Sequence, residues 1–436
     1  MYMKKNLFWM AAVVLSSVML SCGSSDEADV NSDEFKKVVK MLADPEPIVL
    51  TPEQRQFAND NNGFTLRFLK TVSESDRSGK SFIYSPLSIT YVLGMVNDAA
   101  TGQTEQELEQ TLGFHEGGIQ AVNDYCKKLI EGLPKVDSKV TLDIANAIFV
   151  NKNIGKLKAQ FEKDMQEYYS AKAEDLDFSS PKTLDHINGW VEKKTNGMIP
   201  TILDEINPKM MSYLLNAIYF KADWTSKFDP KNTRTETFTT ENATVQLPLM
   251  QQDVLIGYVK NDIYAAVSIP YGNGFWNMIV MLPEEGKTTD DIISLLAEKG
   301  WSADYADSPM IEAKTYEVNL KLPRFETTSD TNGLKEGLVG LLEKMGIRLA
   351  FNSEFAEIPN MCDQRVYIGM MRQKAAIKVN EEGSEAAAVT VAGMDLNSLG
   401  PVDYPKANFH ANRPFVYVIR ESSSGVILFV GKFTGE

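Results

Sequence analysis

Lys374 to Gly400 reads KAAIKVNEEGSEAAAVTVAGMDLNSLG, and the rest of the chain is best understood outward from it. Ala375 to Val379 alternates β-branched and small residues, as a strand on a pleated sheet does. Asn380-Glu381-Glu382-Gly383 follows as acidic, turn-forming punctuation. Ser384, Ala386, Ala387 and Ala388 then form a run of very small side chains, ahead of Val389-Thr390-Val391. No proline occurs between Pro359 and Pro401, so every residue in between keeps its backbone donor. A segment built this way can stand exposed in one state and enter a sheet in another. An alanine-rich helix is the other reading, because alanine leads the helix propensity scale. The residues by themselves leave both readings open.

A resemblance decides between them. The pattern K-A-x-I-x-V-N-E-E-G-[ST]-E-A-A-A-x-T resembles the hinge of the serpins, protease inhibitors that work by loop insertion. Other blocks agree with it. Ser85-Pro86-Leu87-Ser88-Ile89 and Gly102-Gln103-Thr104 resemble the start of the family's second helix and the turn that follows. Asn188-Gly189-Trp190-Val191, Thr195-Asn196-Gly197 and Ile199 are similar to the N-x-W-V…T-x-G-x-I signature. Leu215-Asn216-Ala217-Ile218-Tyr219-Phe220-Lys221, with Trp224 and Phe228, resembles the strand and crossing at the top of the main sheet, the breach. Leu322-Pro323-Arg324-Phe325, Phe409 to Phe415 and Ile427 to Gly431 resemble three further blocks. The resemblance runs from about Thr51 to the end. It implies an α+β serpin fold with a large central mixed sheet, two further sheets, about nine helices and an exposed reactive-centre loop at about 384–403. Length alone would suggest two or three domains, but blocks of one fold span 51–436, so a single domain is expected there.

Composition narrows the partners. Lys and Arg number 44 against 59 Asp and Glu, a net charge of −15, which argues against nucleic acid. Lys127-Lys128 is only a pair, so no sulfated-polysaccharide cofactor is expected, nor any other cofactor.

The first residues predict export. Lys4-Lys5 precede an apolar run from Leu7 to Leu20, which ends at Ser21-Cys22-Gly23. A basic start, a short apolar core and small residues at the cleavage point make a secretory signal over 1–21. Met19-Leu20-Ser21-Cys22 resembles a slightly degenerate bacterial lipobox, which makes Cys22 the lipidated first residue of the mature chain. An ordinary signal peptide with an incidental cysteine is the alternative. Residues 22–50 read as a hydrated tether and spacer, with a short amphipathic helix over Asp33–Ala43 stopped by Pro45 and Pro47. Several acyl chains on one cysteine anchor stably. The expected location is the outer membrane or cell surface of a bacterium. Cys126 and Cys362 carry no metal-like spacing and are expected to be free, buried thiols, with a disulfide as the less favoured reading.

Catalytic chemistry finds little support. His115, His186 and His410 are the only histidines, and none stands in a metal-binding or nucleophile-pairing context. Ser179 and Lys182 fit S-x-x-K without its companion motifs. No G-x-S-x-G or phosphate loop occurs, so an enzyme is not expected.

The resemblance implies a mechanism. A target protease cleaves the loop as substrate and is acylated by it. The freed segment then inserts into the main sheet and drags the protease across, distorting its active site. Alternate residues of an inserting strand face the core. From Ser384 that set is Ser384, Ala386, Ala388, Thr390, Ala392 and Met394, all small or uncharged. Glu385 and Asp395 fall on the outward set. A buried unpaired charge would cost several kcal/mol, so the alternation favours an inhibitor over a non-inhibitory surface binding or carrier protein. The family spacing of about sixteen residues beyond Glu381 places the reactive bond at Asn397-Ser398; Leu396, Met394 and Leu399 are the alternatives. No Lys or Arg lies between Lys378 and Lys406, which disfavours trypsin-like targets. Elastase- or chymotrypsin-like serine endopeptidases are expected, with papain-like enzymes as a second class. A monomer is expected.

Two positions depart from the family pattern. Gly369 and Gln373 stand where a serine and a histidine are usual. That histidine bonds the second-helix serines and an asparagine, here Ser85, Ser88 and Asn216, a group known as the shutter. A glutamine both donates and accepts, so Gln373 can take the histidine's place. Ser81 also stands where asparagine is common.

Overall fold

The computed structural model describes residues 46–76, 78–115, 117–301, 314–384 and 404–436. Cys22, the tether helix and 385–403, with Ala386, Ala387, Ala388, Met394, Leu396, Asn397, Ser398 and Leu399, lie outside the described residues.

Helix α1 (Pro52–Ser75) starts on a capping box in which Thr51 and Gln54 satisfy each other's backbone donors. The short strand β1 (Phe82–Tyr84) leads to α2 (Pro86–Ala99), where Ser85 caps the first turn and Pro86 takes the first helical position. Nearly every residue of α2 is buried, so the helix is enclosed all round rather than amphipathic, with Ser88 and Thr90 as buried polar residues on it. The chain continues through α3 (Gly102–Leu112), α4 (Gly118–Gly132), β2 (Thr141–Asn151), α5 (Ala159–Tyr169), β3 (Lys172–Leu176), α6 (Lys182–Lys194) and β4 (Ser212–Asp223). Then come β5 (Arg234–Thr239), β6 (Thr244–Lys260), β7 (Tyr264–Tyr271), β8 (Trp276–Pro283), α7 (Thr289–Lys299), β9 (Lys314–Pro323), β10 (Phe325–Asp330) and α8 (Gly337–Met345). The final part holds β11 (Met370–Val379), β12 (Gly383–Ser384), β13 (Lys406–His410), β14 (Phe415–Glu421) and β15 (Ile427–Phe433). Eight α-helices thus lie among the described residues.

The central sheet runs β10-β11-β12-β4-β2-β3 and is mixed: β11 lies parallel to β4 and β2 parallel to β3, with the other pairs antiparallel. The remaining nine strands form one hydrogen-bonded sheet, eight of them in the order β1-β15-β14-β8-β7-β6-β9-β13 with β5 branching off β6. Strand β6 makes it continuous, because its first half pairs with β5 and its last residues with β7, while β9 runs alongside.

Both faces of the central sheet are covered, which is why β4 reads as a nearly continuous apolar run from Tyr213 to Phe220, broken only by Asn216. Leu214, Ile218, Phe220 and Ala222 of β4 join the main core with α1 and α2. Tyr213, Leu215 and Ala217 point the other way, into a smaller core with Ile187 and Val191 of α6. Cys126 and Cys362 are both free and buried, as expected, and burial pushes each thiol up to about 12.

Candidate functional site

The site lies along the seam between β4 and β11. From Met370↔Tyr213 to Ala375↔Ile218 the two strands pair directly. Beyond that point they part, and the two residues of β12 enter between them. Gly383 and Ser384 pair antiparallel with Asp223 and Ala222, and Ser384 also stands opposite Val379. The chain reaches this position by a tight turn. Asn380 and Gly383 exchange backbone hydrogen bonds at 2.9 and 3.2 Å, and the Asn380 side chain accepts from the Glu382 N–H at 3.0 Å. Gly383 is required by close approach: a Cβ there would come within 2.1 Å of the Ala222 carbonyl oxygen.

The head of the seam grips that turn. The Trp224 indole N–H donates to the Asn380 carbonyl at 2.9 Å, and the backbone N–H groups of Trp224 and Phe228 donate to the carbonyls of Glu382 and Glu381. Trp224 stacks on Tyr271 with ring centroids 4.3 Å apart. The Tyr271 hydroxyl meets the buried Ser384 hydroxyl at 2.7 Å, and burial pushes the Tyr271 phenol well above its ordinary range. The Glu381 carboxylate accepts from the Arg324 guanidinium and, at 2.6 Å, from the Thr233 hydroxyl. Burial alone would raise that carboxyl, but these donors outweigh it and hold it below the usual carboxylate range. Lys227 joins Glu382 and Asp223 to the same rim.

Lower in the seam, Gln373 stands opposite Asn216, and Asn216 opposite Asn146 on β2. Gln373 Oε1 accepts from the Ser85 N–H at 3.0 Å. Its Nε2 lies 2.9 Å from the Ser85 carbonyl, 3.2 Å from the Ser88 hydroxyl and 2.8 Å from Asn216 Oδ1. Ser88 donates to Asn216 at 2.8 Å, and Asn216 to Asn146 at 2.8 Å. Four residues chosen from sequence therefore meet in one buried network. It ties β11, β4 and β2 to the first turn of α2. At Gly369 a serine's Cβ would come within 2.5 Å of Met210 Sδ, so the flexible Met210 side chain would have to shift to admit it. Ser81 caps the chain end instead, accepting from the Thr434 N–H at 3.0 Å.

Sequence reading missed Tyr271, Arg324, Thr233, Lys227 and Asn146 as parts of this site. Arg324 and Glu381 carry opposite charges, yet nothing local links partners 57 positions apart. The other candidates are dispersed. His186 bonds Glu174 at 2.9 Å, and His410 bonds Asn319 at 2.7 Å. Ser179 lies in a turn held by Asp177.

The comparisons with known proteins accord with this geometry. The family model described as serpin (serine protease inhibitor) matches residues 59–435. Serpin B6 of Macaca fascicularis is 30% identical over 387 residues, covering 86% of this chain and 98% of its own. The native thermophilic serpin tengpin superposes with a TM-score of 0.76 at 26% identity, over 91% of this chain and 98% of tengpin. Thyroxine-binding globulin complexed with thyroxine superposes with a TM-score of 0.70 at 25% identity, over 87% of this chain and 98% of its own. With a parted central sheet, a gripped hinge and this breadth of match, the chain belongs to the serpin family of serine protease inhibitors.

Proposed function

We propose that this serpin is a suicide inhibitor of endopeptidases, trapping the acyl-enzyme by inserting its cleaved loop between β4 and β11. One observation carries the reading: Gly383 and Ser384 already occupy the head of that gap as the first residues of an added strand. Extension is chemically permitted, since every second residue from Ser384 to Met394 is small or uncharged. A strand keeping the Ser384 register would bring position 390, a threonine, between Gln373 and Asn216, where a hydroxyl can serve both amides.

The target is an elastase- or chymotrypsin-like serine endopeptidase, with papain-like cysteine endopeptidases second, cut at Asn397-Ser398 or beside Met394, Leu396 or Leu399. The inhibitor works as a monomer, tethered through a lipidated Cys22 to the outer membrane or surface of a bacterium. The apolar Leu7–Leu20 run followed by Ser21-Cys22-Gly23 supports that placement. The test is incubation with elastase, chymotrypsin, subtilisin, trypsin and papain. The expected result is a covalent complex that survives denaturing gels, with the mass of the released peptide fixing the bond. Cleavage by the panel without any complex would overturn it. It would favour a surface binding or carrier protein, a reading with one support in the thyroxine-bound structure of a relative with this fold.

A further inference from the structure

The residues that follow α6, from Thr195 to Ile206, cross the outer face of the central sheet. Their hold on β2 and β4 is extensive. Ile202 and Leu203 donate backbone N–H bonds to Asn188 Oδ1 at 2.9 and 3.0 Å, and both side chains sink into the smaller core with Phe149 and Leu215. Strand β11 supplies only the partly buried Met370 to that core. Two polar contacts nevertheless reach from β11 across the seam to this segment. Arg372 Nη1 lies 3.1 Å from Asp204 Oδ2, and Lys374 Nζ donates to the Thr201 carbonyl at 2.7 Å.

The two ends of these contacts belong to different halves of the sheet. Arg372 is almost fully buried and forked onto Asp330 of β10, which pairs in register with β11. When β11 moves, Asp330 carries the guanidinium with it. Asp204 stays with β2 and β4. A strand added between β4 and β11 separates them by about 4.8 Å, more than a hydrogen bond of 3.1 Å tolerates without release.

We propose that Arg372–Asp204 and Lys374–Thr201 form a clasp across the β4–β11 seam, which must release together with the ladder and the Gln373 network before the sheet opens and so slows loop insertion. The proposal rests on the seam being the one that opens, but its test does not depend on protease trapping. Asp204 is exposed, so Asp204→Ala leaves the cores intact, and Glu205→Ala is the neighbouring control. In the full-length chain, amides paired across the seam are expected to exchange about twofold to fivefold faster in Asp204→Ala, the range set by an exposed ion pair. A synthetic peptide of sequence 384–397 should anneal faster by the same factor. Asp204→Ala/Lys374→Met should exceed Asp204→Ala, and global stability in urea should stay within the range of Glu205→Ala. High salt should speed wild type toward Asp204→Ala and leave that variant unchanged. Equal seam exchange in wild type, Asp204→Ala and the double variant would overturn the clasp. Failure of wild type to trap any protease, with faster seam exchange in Asp204→Ala, would overturn the inhibitor reading and keep the clasp.

Discussion

Gln373 shows how much one side chain can hold. It occupies a position where the family commonly has histidine, yet its amide meets Ser85, Ser88 and Asn216 together inside the sheet. A leucine of similar size would leave the Ser85 N–H and Asn216 Oδ1 with fewer partners in a dry interior. Each buried polar group so stranded costs about 1–3 kcal/mol. Gln373→Leu is therefore expected to lower unfolding stability by about 2–4 kcal/mol in urea titrations. It should also hasten spontaneous conversion to latent or polymeric forms, followed on native gels. Ser384 gives the complementary prediction. Its hydroxyl is buried against Tyr271, so Ser384→Glu would bring an unpaired carboxylate into the seam. The expected outcome is a protein that proteases still cut but that forms at least tenfold less covalent complex, read as the stoichiometry of inhibition.

At the scale of elements, the hinge turn between β11 and β12 is held electrostatically as well as by backbone bonds. Because Arg324 and Thr233 hold the Glu381 carboxyl below its ordinary range, the sign of the pH effect follows. A carboxylate with a depressed native pKa stabilises the native state above its unfolded value, about 4.3 for glutamate. That contribution is lost as pH falls through the native value. Glu381→Gln should therefore be less stable than wild type at neutral pH, with the gap closing in acid. Urea titrations at pH 7 and pH 3 check it; a gap that stays constant would contradict it. The acid-labile anchorage here is local to the rim, whereas Gln373 and Asn216 below it carry no titratable group.

For the whole molecule, β4 and β11 are paired low in the sheet and parted at its head, so the native chain leaves ladder hydrogen bonds unmade there. On the mechanism proposed above, cleavage of the loop lets a new central strand complete the sheet and bury its small side chains. The expected outcome is a large rise in melting temperature, read by calorimetry before and after limited proteolysis within 385–403. An unchanged melting temperature would place the protein with non-inserting relatives. The segment's lack of Lys and Arg predicts that trypsin produces this product poorly.

Much of the fold was legible because it is recorded locally. Ser85-Pro86 announces the start of α2, the alternation of Ala375 to Val379 announces the end of β11, and Gln373 announces a group able to donate and accept. These properties depend on period, propensity and side-chain chemistry, which a chain carries at each position. Tertiary structure alone decided that Glu381 meets Arg324 and Thr233, that Ser384 meets Tyr271, and that Arg372 reaches Asp204. Such pairings depend on which surfaces the sheet brings within a few ångströms of each other, and no local pattern encodes that distance.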